Sequence, residues 1–111
     1  MRIGRPGAAA LAAAALLSLP LQASAQGAAQ QGRAKAQACM VCHGPLGIST
    51  APDAPNLAGQ PAIYLAAQLR AYRSGERRHE VMAVMAKNLS NEDIDLLAAW
   101  YSSIRIEATA P

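Results

Sequence analysis

The chain has no phenylalanine, one tryptophan and three tyrosines in 111 residues. Large aromatic side chains are the usual source of buried area in a small domain, so this chain has to fill its interior in some other way. No segment alternates apolar and polar residues as a half-buried strand does, which argues against a sheet. The longest apolar run, Ala8 to Leu19, has 12 residues, whereas a helical bilayer span takes about 20. Nor is there a sustained basic face of the kind a nucleic-acid binder shows. Cysteine and histidine are both rare, with two of each.

What is present begins with a leader. Arg2 and Arg5 precede the Ala8–Leu19 run, Pro20 breaks it, and Ala23-Ser24-Ala25 offers a cleavage site before Gln26. A positive start, a short apolar run and small residues at the cut are the parts of a secretory signal peptide. Residues 1–25 are therefore expected to be removed after Ala25, with an uncleaved membrane anchor as the competing reading. Cleavage takes away Arg2 and Arg5 and leaves eight basic residues against seven acidic ones, a net charge of +1. The remaining stretch, 26–111, is one small domain, in the size range where a core is marginal and a staple or bound group is usual.

Along that domain, Gln26 to Gln31 is rich in Ala, Gln and Gly and is expected to be loose. Helix-forming residues run from Gly32 to about Cys39. Gly44 to Pro61 is turn-rich, with three glycines and four prolines. Pro61 suits the first position of a further helix, predicted to run to about Arg73 with Leu65, Leu69 and Tyr72 on one face and Gly75 at its end. The best-marked element starts at Ser90, an N-cap with Asp93 three residues on in a capping-box pattern, followed by a stripe of Ile94, Leu97, Ala98, Tyr101 and Ile104. The tail from Glu107 to Pro111 is expected to be loose.

Both cysteines fall in Cys39-Met40-Val41-Cys42-His43. A redox dithiol of the thioredoxin kind needs strands around it, and none is indicated. Structural zinc needs four ligands; His43 adjoins Cys42 and does not easily reach the same metal, which leaves His79 alone to complete the set. A plain disulfide would close a loop too short to constrain much of the unfolded chain. Covalent haem attachment uses every residue of the motif. The two thiols join the two vinyl groups of the porphyrin, and the adjacent imidazole lies over the iron. It also supplies a large apolar disc for a core short of aromatics. Met82, Met85 and His79 are then the candidates for the other side of the iron, and spacing leaves Met82 and Met85 unseparated, since a spare methionine is more often a core filler.

With Gly32 seven residues before Cys39, and Gly44 after His43, the chain resembles the start of a class I cytochrome c. Ala54-Pro55-Asn56-Leu57-Ala58-Gly59-Gln60, then Tyr64-Leu65, Gln68-Leu69, Leu89 to Ile94 and Leu97-Ala98-Ala99-Trp100-Tyr101 continue the likeness. It is most similar to single domains of the bacterial two-haem cytochromes of the c-four type and their small one-haem relatives, over about 32–103. The resemblance implies an all-α class I cytochrome c fold, with helices wrapped around one covalently attached haem c and its iron. Cys39, Cys42 and His43 would bind the group. In such relatives the ligand methionine stands eight residues before the serine that opens the last helix, which here is Met82. The carbonyl at Pro55 would accept the outer N–H of His43, a bond of the kind that fixes a metal-bound ring. Gly32 would let the first helix cross close to Trp100 and Tyr101.

The implied function is a periplasmic one-electron carrier, not an enzyme, with His43 and Met82 on the iron. Its partners would be redox proteins acting as donor and acceptor, such as a periplasmic dehydrogenase or a terminal oxidase. No nucleic-acid partner is expected, and a membrane only if the leader is uncleaved. Two other readings compete: a dedicated haem subunit of a periplasmic dehydrogenase, and an open-site haem sensor or peroxidase. The cluster Arg70, Arg73, Arg77, Arg78 and His79 reads as a docking face, as donors to the haem propionates, or as a solvated helix face. Tyr72 is expected on the haem or in the core.

Overall fold

The computed structural model describes residues 1, 3, 4, 7 and 20–111. Arg2, Arg5 and the apolar run Ala8–Leu19 of the expected leader lie outside the described residues. Helix α1 spans Pro20–Lys35. Gln26 to Gln31, expected to be loose, is helical within α1. Alanine and glutamine favour the helix intrinsically, and α1 lies along the last helix for much of its length, an interaction that local composition does not reveal.

The expected helix from Gly32 to Cys39 is instead divided at one residue. Ala36 has φ −74° and ψ −2°, flatter in ψ than an α-helix, and its N–H is shared between the carbonyls of Gly32 and Arg33 at 2.9 and 3.2 Å. Helix α2, Gln37–His43, follows directly after that interruption. Ala36 is fully buried, so the turn is made against the core.

Helix α3 runs Ala62–Ser74, preceded by Pro61 and ended by Gly75 in the left-handed conformation at φ 85°. A short helix α4, Glu80–Ala86, follows and was not expected from the sequence. Helix α5, Asn91–Ser103, has the full capping box at Ser90 and Asp93. No strand is found among the described residues.

The core forms where α3 and α1 meet α5. Ile94, Leu97, Ala98 and Tyr101 are buried on α5, facing Leu65 and Ala66 of α3. Among the described residues, only Ile94 and Leu97 are large and fully buried, each contributing roughly 1.5–3 kcal/mol on burial. The α1–α5 crossing is close enough that a Cβ on Gly32 would stand 1.9 Å from the Leu96 carbonyl oxygen and 2.8 Å from the Trp100 Cβ. The expected contact with the aromatic pair is therefore made to Trp100 and to the α5 backbone itself. Arg33 adds its guanidinium over the Trp100 ring at 5.5 Å.

Candidate haem site

Cys39, Cys42 and His43 stand at i, i+3 and i+4 on α2, a spacing that puts all three on one helical face. Both thiols are free rather than bridged, Cys39 half-buried and Cys42 exposed. The His43 ring is buried. α2 stops directly after it: Gly44 takes φ 84° and donates its N–H to the Met40 carbonyl at 3.0 Å. A side chain here would be strained, and its Cβ would lie 2.0 Å from the Ile48 carbonyl oxygen. Glycine thus lets the chain double back beside the helix it has just left.

The returning loop is tied down at several points. The Ser49 hydroxyl donates to the Cys42 carbonyl at 2.9 Å, and the Ser49 N–H donates to the Asn56 side-chain oxygen at 2.7 Å. Gln60 donates its side-chain amide to the Asn56 carbonyl at 2.7 Å. The N–H groups of Leu57 and Ala58 both reach the Gly47 carbonyl, and that of Gly59 reaches Tyr101 on α5. These ties hold the Pro55 carbonyl oxygen 2.7 Å from Nδ1 of His43. With Nδ1–H donating to Pro55, the His43 lone pair is on Nε2, the atom left to bind a metal.

The electrostatics bear on the rival chemistries. Burial pushes the Cys39 thiol above its ordinary value, with the Tyr101 hydroxyl acting in the opposite sense. A redox-active C-x-x-C has a thiol shifted downward, the opposite of the direction at Cys39. Among the described residues, no three His, Cys, Asp or Glu side chains gather to hold a metal, which removes support from zinc. The Tyr101 phenol is also raised, chiefly by burial. Its oxygen is buried with no hydrogen-bond partner; Cys39 is near enough to interact electrostatically without meeting hydrogen-bond geometry.

On α4, Met82 is half-buried and Met85 is 39 % exposed. Met82 shares the inner side of the helix with Ala86, four residues on and fully buried. His79 stands just before α4, its Nδ1 accepting the Met82 N–H at 3.2 Å.

The sequence of the chain matches the family "Cytochrome c" over residues 29–105. The chain belongs to the cytochrome c family. It is 46 % identical over 80 residues to cytochrome c-554(548) of Halomonas halodenitrificans, a match covering 69 % of this chain and 96 % of that protein. A thiosulfate dehydrogenase electron acceptor of Stutzerimonas stutzeri is 36 % identical over 69 residues, covering 60 % of this chain and 32 % of the other. The crystal structure of reduced recombinant cytochrome c4 from Pseudomonas stutzeri superposes with a TM-score of 0.66 at 30 % identity, covering 72 % of this chain. This chain spans 50 % of that one. The fold is the all-α class I cytochrome c fold, the group it binds is a covalent haem c with its iron, and the protein is an electron-transfer cytochrome.

The residues present fit that haem. α2 offers two unbridged thiols and a ring nitrogen on one face. Among the described residues, the two segments carrying the candidate ligands also carry six of the large apolar side chains left exposed: Val41, Leu46 and Ile48 around His43, and Val81, Val84 and Met85 around Met82. A buried hydroxyl without a partner, that of Tyr101, stands by Cys39.

Sequence reasoning missed the residues that place Pro55. Ser49 and Asn56 do so through a side-chain bond across the loop, and the one available signal was their setting in a stretch rich in proline and glycine. The arginine cluster is mostly engaged within the protein. Arg70 pairs with Asp95 at 2.6 Å, and Arg73 donates to the Leu89 carbonyl and the Asn91 side chain at 2.9 and 2.8 Å. Arg77 donates to Gln68 at 2.7 Å.

Proposed function

We propose that this cytochrome is a periplasmic one-electron carrier whose iron is ligated by His43 and Met82, exported by a signal peptide over residues 1–25 that is cleaved after Ala25. The observation that carries the reading is the face of α2, with Cys39, Cys42 and His43 aligned and His43 Nδ1 engaged by Pro55 at 2.7 Å. Bound haem supplies the Fe(III)/Fe(II) couple. Cys39 and Cys42 hold it by thioether links, so the group stays on one face of one helix. Pro55 sets the ring plane of His43 and, by accepting its N–H, makes Nε2 a stronger donor. Met82 would give the iron a neutral thioether together with the His43 imidazole, a ligand pair that favours the reduced state and raises the potential. Its choice over Met85 rests on the family spacing to Ser90. Two protein ligands retained in both oxidation states suit a shuttle rather than an open site that binds substrate.

Optical spectra of the haem-loaded protein test this. A weak far-red band in the oxidised protein marks Met–iron ligation; it is expected in the wild type and in Met85→Ala, and absent in Met82→Ala. A band that survives Met82→Ala and disappears in Met85→Ala transfers the ligand role. A wild type without the band that readily binds carbon monoxide has an open site, which ends the carrier reading.

Similarity to a thiosulfate dehydrogenase electron acceptor favours one second reading, a cytochrome dedicated to a periplasmic dehydrogenase. Co-elution with such an enzyme in size-exclusion chromatography supports it; rapid exchange of electrons with several unrelated partners supports the free shuttle.

A further inference from the structure

Helix α4 has seven residues, well below the length at which a helix holds itself in water. What precedes it is a five-residue turn, Gly75 to His79, and its N-cap is His79, in extended conformation at φ −161° and ψ 129°. The His79 Nδ1 lone pair accepts the backbone N–H of Met82 at 3.2 Å, so the tautomer is the one with hydrogen on Nε2.

His79 is itself held. Its ring meets Tyr72 of α3 edge-on, with centroids 6.4 Å apart and planes at 74°, a favoured aromatic geometry. The Tyr72 ring also carries the Arg77 guanidinium, 4.7 Å from its centroid. Arg77 is anchored twice more on α3, through its N–H to the Ala71 carbonyl at 3.1 Å and through Nη1 to Gln68 at 2.7 Å. A continuous path of contacts thus runs from the middle of α3, through Arg77, Tyr72 and His79, to the backbone of Met82. It explains Tyr72, Arg77 and His79 together, three residues that the haem attachment face does not use.

We propose that Arg77, Tyr72 and His79 form a clamp that fixes the start of α4 on α3 and thereby sets the position of Met82; they are positioning residues for the sixth iron ligand. The proposal rests on Met82 being that ligand. The turn from Gly75 to His79 brings no apolar side chain of its own, and its backbone tie to α3 is the Arg77 N–H on the Ala71 carbonyl. Without the clamp, α4 would retain Ala86 at its far end while the end bearing Met82 frays. Met82 would then yield more readily to a competing ligand.

The test uses the haem-loaded protein and the variants His79→Ala, His79→Asn and Tyr72→Leu, with Met82→Ala as control. One readout is the exchange rate of the Met82 amide hydrogen; the other is the apparent affinity of free imidazole, read from loss of the far-red band. Loss of an N-cap acceptor predicts roughly fivefold faster exchange and roughly fivefold tighter imidazole binding in His79→Ala. Tyr72→Leu should move both in the same direction. His79→Asn, which keeps a capping oxygen but gives up the ring against Tyr72, should restore only part of the protection. Unchanged exchange and imidazole affinity in His79→Ala overturn the clamp while leaving Met82 as ligand. Equal losses in His79→Ala and His79→Asn also overturn it as a capping device. A far-red band that survives Met82→Ala overturns the ligand assignment and this role together, so the two failures are distinguishable.

Discussion

The Nδ1 atom of His43 and the carbonyl oxygen of Pro55 lie 2.7 Å apart, across a separation of twelve residues. The acceptor is a backbone atom, so no side-chain change at 55 removes it; only the position of the loop can weaken it. Proline narrows that position by fixing φ. Pro55→Ala is expected to loosen the contact, make Nε2 a poorer donor and disfavour Fe(III). The reduction potential should rise by up to roughly 40 mV, equivalent to a hydrogen bond of about 1 kcal/mol in a one-electron couple. Protein-film voltammetry of the two proteins checks this, and a fall in potential would contradict the assigned role of Pro55.

Gly32 faces backbone, not a flexible side chain. Its added Cβ would meet the Leu96 carbonyl oxygen at 1.9 Å and the carbonyl carbon at 2.7 Å, so α1 and α5 would have to separate. Gly32→Ala should gain helix propensity of about 1 kcal/mol and lose more through overpacking, on the order of 1–3 kcal/mol or above. Chemical denaturation should show a net loss of stability. An unchanged or raised midpoint would mean that the two helices separate at little cost.

Lys35 at the end of α1 reaches Asp93 in the first turn of α5 at 2.6 Å. The Lys35 ammonium, followed by the Ser90 N–H, brings the Asp93 carboxyl down to about 2. Its contribution to stability is therefore present above the ordinary carboxylate value near 4 and is lost as pH falls toward about 2. The Lys35 ammonium is shifted upward by Asp93, so its part is present at neutral pH and is lost only in strongly basic solution. Melting temperature should drop between about pH 4 and pH 2, and Asp93→Asn should flatten that slope. High salt should weaken the effect, because both groups are partly exposed. A slope identical in the variant would locate the acid sensitivity elsewhere.

The haem should be needed for the fold as well as for redox chemistry. Ile94 and Leu97 are the only large side chains fully buried among the described residues, and domains of this size commonly depend on a bound group. Protein produced without haem attachment, by Cys39→Ala with Cys42→Ala, should lack a cooperative thermal transition and show weak near-ultraviolet circular dichroism. A sharp transition near that of the haem-loaded protein would show that the polypeptide core suffices.

Local chemistry made much of this protein readable. C-x-x-C-H places its three groups on one face of any helix that contains it. Ser90 with Asp93, and Pro61 with Gly75, mark helix ends because capping depends on neighbours a few residues away. Gly32 could be recognised as a close-contact position, although the partner turned out to be the Leu96 backbone together with Trp100. By contrast, Gln26 to Gln31 holds good helix formers beside Gly27, and it was the packing of α1 along α5, which those residues do not encode locally, that settled the stretch as helix.

The sequence alone thus determined the chemistry at α2, the helical class and the main boundaries, because those depend on residue type and short spacing. Tertiary structure decided what stands against that chemistry. It brought the Pro55 carbonyl onto His43 through Ser49 and Asn56, interrupted the first helix at the buried Ala36, and formed α4 behind His79 on the side of α3. It also engaged Arg70, Arg73 and Arg77 as surface ties between elements. Each of these joins groups distant in the chain, and their energies exist only once the loop and helices have been brought together.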